Sequence, residues 1–432
     1  MHDDTAAANQ LLAKGADPNQ GGLMGFSPVF LSMIYQNKTI FRRMMARGID
    51  IQQRDPSGST LLMWAAANDK GDPEMVDELL RLGLDPNATN RAGETAMTWA
   101  ARRGSTAVVA ALERAGASNE GAIRDAAQRA VTLLQTSGTQ FVRVSGCVSC
   151  HHTFLPQMAA SLARSRGLNV NEKTAQMETA ATVGMMKPAQ EELLRNPDRL
   201  PDPPVTISYG LLSLHADHYP ADQTTGVLAQ VIAKWQRPDG GFRAFPMRPP
   251  IEGSHFAATA LSLRALQLYG TNSEEQVARA ADWLRKSTPK TAEDSAMRLL
   301  GLSWAGAPTG EIQAAVYALL DQQRPDGGWA QLPGLETDAY ATGQALVALK
   351  WSGQMPASDT AYKRGIGFLL RTQYADGSWL VRSRSFPVQP YRESGFPFGK
   401  DQWISATGTS WAAMALSLAL PEQPAVMAGG GR

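Results

Sequence analysis

The chain has 432 residues, of which 43% are hydrophobic and 19% charged, a composition typical of a folded protein long enough for two domains. The 41 basic and 40 acidic residues leave a formal net charge of +1, which gives no support for a nucleic-acid partner or an anionic membrane surface. The sequence has no run of about eighteen apolar residues and therefore predicts no transmembrane segment.

The N-terminal segment, Ala7 to Asn19, reads as the second half of a helical repeat whose first half is missing. A repeat cannot bury its inner face without a neighbour, so we expect the first repeat to be truncated and the chain to be part of a longer protein. The lack of a basic and apolar leader then predicts nothing about the compartment.

Three further stretches share one pattern, in which a glycine begins a helix pair and a second glycine ends it. The first glycines are Gly25, Gly58 and Gly93, spaced 33 and 35 residues apart, and the second are Gly48, Gly83 and Gly116. Thr60 and Thr95 are expected to cap the first helix of their repeats, and the second glycines are expected to end the second helix in a left-handed conformation.

These stretches resemble the ankyrin pattern G-x-T-P-L-H-x-A-A … L-L-x-x-G-A-D-x-N. The resemblance implies an ankyrin array over 1–119. Its expected function is a concave surface that binds a protein partner. The alternative is a cap that only shields the following domain.

From about Glu120 the apolar spacing predicts six alternations of an outer and an inner helix. The outer helices are predicted at 121–135, 171–186, 221–235, 274–286, 309–322 and 358–372, and the inner ones at 153–167, 205–217, 254–269, 291–304, 336–351 and 403–420. Six such pairs would close into an all-α (α/α)6 toroid over 120–422 around a central cavity, followed by a disordered tail at 423–432.

Three connections between outer and inner helices share one order of residues. They read Gln236-Arg-Pro-Asp239-Gly240-Gly241-Phe242, Gln323-Arg-Pro-Asp326-Gly327-Gly328-Trp329 and Gln373-Tyr-Ala-Asp376-Gly377-Ser378-Trp379. Asp-Gly predicts a tight turn, because glycine accepts positive φ and aspartate bonds nearby backbone. We expect the glutamine to satisfy backbone groups at the end of the outer helix, and the aromatic ring to pack against the helix pair.

These connections resemble the Q-x-x-x-G-x-W repeats of squalene and hopene cyclases and of protein prenyltransferases, over 205–420 and more weakly over 121–204. The resemblance implies the toroid fold and a cavity suited to an apolar small molecule. Hopene cyclases protonate their substrate with a D-x-D-D-T-A segment. Asp338 matches its first aspartate, but Tyr340 and Ala341 stand at the later acidic positions, so cyclase chemistry is not expected. Neither cysteine matches the zinc site of the prenyltransferases.

Asp338 can be interpreted either as a helix N-cap or as a weak general acid that faces the cavity. Other polar residues at the starts of inner helices are interpreted as caps or solvated side chains: Glu252, His255, Asp294 and Asp401. Four aromatic residues are expected either to line the cavity or to take part in ordinary helix packing: Phe256, Tyr340, Trp403 and Trp411.

The chain has 2 cysteines, and both occur in Cys147-Val-Ser-Cys150-His151, the C-x-x-C-H pattern of covalent c-type haem. In that chemistry the two thiols add to the haem vinyl groups, and His151 is the axial ligand of the iron. The second axial ligand is unknown. Met158 follows on the same helix and cannot easily reach the opposite face of the iron. Met177, Met185 and Met186 are looser candidates whose alternative role is to fill the core.

Two other interpretations of these cysteines stay open. Zinc could be held by Cys147, Cys150 and one or both of His151 and His152, although four ligands from so short a run would be cramped. In the other interpretation, the two cysteines form a redox disulfide. Haem attachment takes place outside the cytoplasm, so the haem interpretation predicts a periplasmic or otherwise exported protein.

The sequence therefore supports three hypotheses of function. In the first, the ankyrin array binds a protein partner, while the toroid lacks cyclase chemistry and carries covalent haem c in a redox-linked or ligand-binding role. In the second, the chain is an enzyme that acts on an isoprenoid or another apolar substrate, with Asp338 as the acid. In the third, it is a zinc-binding structural protein.

Overall fold

The computed structural model describes residues 5–22, 25–68, 72–103, 106–117, 119–196, 200, 202–245, 248–386 and 391–422. These residues form helices and turns without a β-strand, apart from one isolated bridge between Arg54 and Thr60, which confirms the all-α class. Contacts divide the chain into two compact units, Met1–Ile123 and Arg124–Arg432. The predicted tail at 423–432 lies outside the described residues.

The first unit consists of short helices that stack in rows. Their bounds are α1 Thr5–Ala13, α2 Pro28–Ile34, α3 Lys38–Met45, α4 Leu61–Ala66, α5 Glu74–Arg81, α6 Ala96–Arg103 and α7 Thr106–Arg114. Helix α4 packs between α2 and α6, and α5 packs against α7, as expected for repeats that bury their apolar faces against one another.

The expected caps of these repeats are present. Thr60 Oγ1 accepts the Met63 amide hydrogen at 3.3 Å, and Thr95 Oγ1 accepts that of Thr98 at 3.2 Å. The glycines that end the second helices have positive φ, which confirms their predicted left-handed conformation: Gly48 at 79°, Gly83 at 86° and Gly116 at 80°.

An aromatic row runs across the first unit through Phe26, Trp64 and Trp99. Trp64 makes edge-to-face contacts with Phe26 and Trp99, at centroid distances of 5.5 and 5.3 Å. Each indole N–H donates to a carboxylate, that of Trp64 to Asp55 Oδ2 at 2.9 Å and that of Trp99 to Glu94 Oε2 at 2.8 Å. Both indole rings therefore have a polar anchor within their repeat.

The second unit alternates outer and inner helices, as predicted. The outer helices are α8 Glu120–Ser145, α10 Glu172–Arg195, α12 Gln223–Lys234, α14 Glu274–Lys286, α16 Thr309–Leu320 and α18 Thr360–Thr372. The inner helices are α9 Leu155–Ser165, α11 Pro203–Ala216, α13 His255–Tyr269, α15 Ala292–Trp304, α17 Ala339–Trp351 and α19 Gln402–Ala419.

The inner helices form a closed ring. Each packs against the next in the order α9, α11, α13, α15, α17 and α19, and α19 packs in turn against α9. Nearly every residue of α17 and α19 is buried, because these helices have neighbours on all sides. The predicted (α/α)6 toroid is therefore confirmed.

Two outer helices extend further than the sequence predicts. Helix α8 continues from 135 to Ser145, a polar stretch in which Thr136, Thr139 and Ser145 donate their hydroxyl hydrogens to carbonyls four residues earlier. Helix α10 continues past 186 to Arg195 with Pro188 inside it, although proline usually ends a helix.

The three Asp-Gly turns have the expected geometry. Their glycines have φ values of 91° (Gly240), 94° (Gly327) and 95° (Gly377). Each aspartate accepts the amide hydrogen two residues ahead, from Gly241 to Asp239, from Gly328 to Asp326 and from Ser378 to Asp376, at 2.9–3.1 Å.

The glutamines of these turns act differently from the prediction. Each side-chain amide donates to the carbonyl of the turn glycine and to a carbonyl in the first turns of another outer helix, rather than to the end of its own helix. The second acceptors are Gln276 O for Gln236, Ala361 O for Gln323 and Ala126 O for Gln373, at 2.7–2.8 Å. A glutamine therefore links consecutive outer helices at three corners of the ring.

The aromatic residues of the turns are fully buried, as expected. The Trp329 indole donates to Leu319 O at 2.8 Å and the Trp379 indole to Leu369 O at 2.9 Å, whereas Phe242 has no such donor. The backbone N–H of each aromatic residue donates to a threonine of the following inner helix: Thr259, Thr342 and Thr409. No feature of the sequence pattern predicts a role for these threonines.

Candidate functional site

The C-x-x-C-H motif lies at the start of inner helix α9. Cys147 is in the loop after α8, and Cys150–Phe154 form a single π-helical turn that leads into α9. Ser149 Oγ accepts the His152 amide hydrogen at 3.1 Å and caps this turn. The motif therefore occupies the connection from the first outer helix to the first inner helix, as the sequence predicts.

The imidazole of His151 is held in one orientation. Its Nδ1 lies 3.3 Å from Ser149 Oγ, and among the described residues no hydrogen bond to Nε2 is present. The ring packs edge-to-face against Phe141 at 5.4 Å, His152 at 4.7 Å and Trp403 at 5.9 Å. Burial holds the pKa of His151 well below its usual range, so the ring is neutral at pH 7.

The two thiols are free and differ in access. Cys147 is exposed at the surface, whereas Cys150 is buried beside Arg248, Glu252 and Asp202. Burial raises the pKa of Cys150 to about 12, so this thiol stays protonated. Burial also raises the pKa of Cys147, although less. A buried, protonated thiol reacts slowly with any reagent in solution.

The possible additional ligands lie on α9 and α10. Met158 is buried further along α9, and Met186 packs over Gly210 of α11 together with Phe154. Met177 and Met185 are each 36% exposed. Within the part of the chain that the structure describes, no group of three or more His, Cys, Asp or Glu side chains is placed to hold a metal ion.

Several buried polar atoms around the motif have no hydrogen-bond partner among the described residues. They are His152 Nδ1, both carboxyl oxygens of Glu178, the Tyr209 hydroxyl and Asp202 Oδ1. Burial, reinforced by Asp217, raises the pKa of Glu178 well above its usual range, and burial raises that of Asp202 to about 7. Unpartnered buried polar groups are costly, and such a concentration is typical of a functional region.

A cavity of about 190 Å3 opens beside the starts of α13, α15 and α17. Its lining is mixed in polarity and consists of Pro249, Pro250, Gly253, Ser254, Thr291, Glu293, Gln331, Leu332, Tyr340, Ala341, Gln344 and Arg384. The volume lies below the roughly 300–1,000 Å3 of most small-molecule sites. The cavity as it stands therefore fits a small ligand.

Glu293 is the acid in the wall of this cavity, and the sequence analysis missed it. Its Oε1 accepts the Tyr340 hydroxyl hydrogen at 2.9 Å and lies 3.5 Å from Gln344 Nε2. Burial raises the pKa of Glu293 to about 8, although the bonds from Tyr340 and Gln344 oppose this rise. The carboxyl group is therefore mostly protonated at pH 7.

Asp338 caps helix α17. Its Oδ1 accepts the Ala341 amide hydrogen and its Oδ2 accepts a hydrogen from Gln331 Nε2, both at 2.9 Å. Burial raises the pKa of Asp338 to about 6. These bonds occupy both carboxyl oxygens, and Asp338 is absent from the cavity lining, so its role as an acid stays a hypothesis.

The other polar candidates are held in local contacts. Glu252 pairs with Arg248, and Asp294 Oδ1 accepts a hydrogen from Ser254 Oγ at 2.6 Å. His255 Nδ1 accepts the backbone amide hydrogen of Ala244, and Asp401 Oδ1 accepts that of Ser383. Of the aromatic candidates, Tyr340 lines the cavity, Trp403 contacts His151, Phe256 packs on Trp283, and Trp411 is buried.

Along the described residues, no helix combines the length and apolar character that a membrane crossing requires.

Comparison with known proteins identifies the repeats. Residues 1–90 and 62–136 match the family model described as ankyrin repeats (3 copies). Palmitoyltransferase AKR1 of Lachancea kluyveri is 33% identical over 111 residues, which cover 25% of this chain and 15% of the relative. Putative palmitoyltransferase ZDHHC13 of Danio rerio is 32% identical over 110 residues, 25% of this chain and 17% of the relative.

A different relative is drimenyl diphosphate synthase of Streptantibioticus cattleyicolor. It is 31% identical over 163 residues, which cover 34% of this chain and 30% of the synthase. The chain thus spans less than a third of the length of these three relatives. An all-helical chain with ankyrin repeats at its N-terminal end, and with a partial likeness to drimenyl diphosphate synthase, is what the fold and the comparisons together show.

Proposed function

We propose that this chain is a protein-interaction protein whose second unit carries haem c, attached through the thiols of Cys147 and Cys150 with His151 as an axial ligand. The ankyrin repeats support the interaction role, because such arrays present extended protein-binding surfaces. When bound, the haem would supply one-electron redox chemistry. The proposal names no second axial ligand.

The orientation of His151 carries this proposal. An axial histidine commonly fixes its ring by a hydrogen bond at one nitrogen and binds the metal through the other. Ser149 Oγ occupies Nδ1 of His151, which leaves Nε2 as the binding nitrogen. The ring is neutral, as a metal ligand must be. Both thiols are free to form thioether bonds. The residue types at this motif are therefore those that haem c requires.

The burial of Cys150 sets an order of events. Only 5% of this residue is exposed, and its thiol is protonated at neutral pH. Trp403 of α19 covers the neighbouring His151 ring. Cys147, Cys150 and His151 would therefore have to be accessible to haem before this part of the second unit is fully packed.

The test is expression with export into a compartment that contains the haem-attachment machinery. We expect a c-type pyridine haemochrome spectrum and an intact mass increased by one haem. The double variant Cys147→Ser/Cys150→Ser should lose both signals. His151→Ala should keep covalent haem but lose the spectrum of the histidine-ligated iron, whereas the matched variant His152→Ala should keep both.

An unmodified mass after such expression would overturn the haem proposal. Bound zinc found by elemental analysis would replace it with a metal site at the same residues. A mass lower by two hydrogens, restored by reductant, would indicate a Cys147–Cys150 disulfide instead.

Acid chemistry on an isoprenoid is a second candidate function. Two observations favour it: the partial identity with drimenyl diphosphate synthase, and the raised pKa of the buried carboxyl groups of Asp338 and Glu293. A carboxyl group that is protonated near neutral pH can act as a general acid.

The assay is incubation of the purified chain with squalene and with farnesyl diphosphate, followed by product analysis. Loss of product in Asp338→Asn or Glu293→Gln would identify the acid, since asparagine still caps a helix and glutamine preserves the shape of glutamate. The exposed Glu336→Gln is the control. No cyclised product from the wild-type chain would reject this candidate.

A further inference from the structure

The cavity beside α13, α15 and α17 has the features of a site for an anion. Ser254 and Thr291, which line it, are the N-caps of α13 and α15, and Ala341 lies in the first turn of α17. Helix N-termini carry partial positive charge and stabilise negative charge near them. This cavity collects three such ends, but helix ends alone do not define a ligand.

Arg384 adds a full positive charge to the same wall. Its Nε donates to Gln331 Oε1 at 2.8 Å, which fixes the side chain, and within the described chain no carboxylate pairs with its terminal nitrogens. An arginine presented in this way forms paired hydrogen bonds to a carboxylate or a phosphate.

Gln344 supplies the observation that points to a ligand. The residue is 0% exposed and lines the cavity, and its Oε1 has no hydrogen-bond partner among the described residues. Its Nε2 is directed at Glu293 Oε1, 3.5 Å away. A buried amide oxygen without a donor is costly, so the missing partner is a ligand group that donates a hydrogen.

Glu293 completes the set as a donor. Its Oε1 accepts from Tyr340, and no hydrogen bond to its Oε2 is present in the described residues. Burial raises the pKa of this carboxyl group to about 8, so at neutral pH the free oxygen carries a proton. A protonated acid donates to an anionic oxygen, whereas an ionised one would repel it.

We infer that this cavity is a binding site for a small organic acid that carries a hydroxyl group beside its carboxylate. The carboxylate lies between Arg384 and the acid of Glu293, and the hydroxyl donates to Gln344 Oε1. The volume of about 190 Å3 equals that of about six water molecules at roughly 30 Å3 each, which accommodates such an acid. The inference does not depend on haem at the cysteine motif.

The experiment is titration calorimetry of the full chain at neutral pH with three probes: glycerate, propionate and glycerol. Glycerate carries both groups, propionate only the carboxylate, and glycerol only the hydroxyls. We expect glycerate to bind at least about tenfold more tightly than either of the others, since each lacks one polar contact. Arg384→Gln should weaken glycerate binding about tenfold or more.

Gln344→Met separates the two contacts, because it should reduce the affinity for glycerate to that for propionate and leave propionate unchanged. Arg382→Gln, an exposed arginine near Arg384 that pairs with Asp401, is the matched control and should change nothing. Equal affinity for all three probes, glycerate binding unaffected by Arg384→Gln, or saturable binding of farnesyl diphosphate without binding of glycerate would each overturn the inference. Arg384 is partly exposed, so its variant is expected to fold.

Discussion

The carboxyl group of Glu293 illustrates how burial alone changes the chemistry of a residue. It lies in the first turn of α15, where the helix dipole would stabilise an ionised acid. Its removal from water dominates, however, and raises its pKa to about 8. Its neighbour Asp294 instead accepts hydrogen bonds from Ser254 and from two backbone amides. The carboxyl group of Glu293 is therefore mostly protonated at neutral pH.

The raised pKa of Glu293 predicts a pH dependence of stability. A carboxyl group whose pKa is about 8 when folded and near 4.5 when unfolded stabilises the fold below pH 4.5, and that contribution is lost as the pH rises toward 8. In the wild-type chain, the free energy of unfolding measured by chemical denaturation should therefore decline between about pH 5 and 9. We expect Glu293→Gln to reduce this decline by about a few kcal/mol.

The matched variant Glu336→Gln replaces an exposed acid close to the same helix pair and should leave the pH profile unaltered. The residual decline in Glu293→Gln should come from Glu178, Asp202 and Asp338, whose pKa values are also raised. A profile identical to that of the wild-type chain would show that Glu293 is ionised in the fold.

At the scale of the elements, the first glycine of each Asp-Gly turn meets two separate requirements: a positive φ, and the lack of a side chain where another helix comes close. Gly327 has a φ of 94°, and a β carbon built there would lie 2.5 Å from Arg364 O of α18. The first demand is local and the second is tertiary, since it comes from the close approach of a neighbouring outer helix. Gly240 and Gly377 meet the same two demands against Arg279 and Arg129.

The two demands can be measured separately. Gly353 also has positive φ, 72°, but a β carbon there would meet nothing within 4 Å. We expect Gly353→Ala to lower the free energy of unfolding by about 1–2 kcal/mol, the cost of the left-handed conformation. Gly327→Ala should lose more than about 3 kcal/mol, because the clash adds to that cost.

Gly334→Ala is the reference for both, because Gly334 has neither positive φ nor a close neighbour. Its unfolding free energy should stay within about 0.5 kcal/mol of that of the wild-type chain. Equal losses in Gly327→Ala and Gly353→Ala would mean that the outer helices separate at little cost.

The limits of sequence reasoning are also visible at this scale. The turns were predictable, because Asp, Gly and Trp each meet a local physical requirement that the sequence displays. The threonines that bond Trp329 and Trp379 were not, since a threonine inside an apolar helix has no signal of its own. The ends of α8 and α10 were missed because polar residues and Pro188 hide the helical period.

The site was less predictable than the fold. Cys150 and His151 stand out in the sequence because their spacing is that of covalent c-type haem, and their role stays a prediction. Glu293 resembled an ordinary acid in the first turn of a helix, and its partner Tyr340 lies 47 residues away. Only closure of the ring brings the two together, so no local pattern could distinguish Glu293 from Asp294.

At the scale of the whole second unit, the ring has a seam where its last turn meets its first helix. Gln373 donates to Ala126 O at 2.8 Å, across 247 residues of sequence, and Arg129 donates back to Gln373 Oε1 at 2.5 Å. The turn at Gln323 makes the same contacts between α16 and α18 without bridging distant parts of the chain.

Comparison of these two glutamines tests whether the ring acts as one unit. Both Gln373→Ala and Gln323→Ala should cost about 1–2 kcal/mol, because each removes a side-chain amide that donates to two backbone carbonyls. Hydrogen exchange should differ. We expect Gln373→Ala to accelerate exchange in α8, α9 and α19, and Gln323→Ala to accelerate it in α16 and α18.

Faster exchange in the same helices for both variants would instead indicate a unit that opens only globally. Gln322→Ala, a neighbouring glutamine whose amide bonds Ser295 and its own helix rather than another outer helix, is the control and should leave the exchange of α8 unchanged.

The position of α19 as the last helix of the ring has a consequence for biosynthesis. A ribosome delivers the chain from its N-terminus, so α9 and α17 emerge before the helix that covers both of them. Until α19 follows, each leaves an apolar face exposed in the crowded cell, where such a surface promotes aggregation. We therefore expect the nascent chain to depend on chaperones until its final helix has been translated.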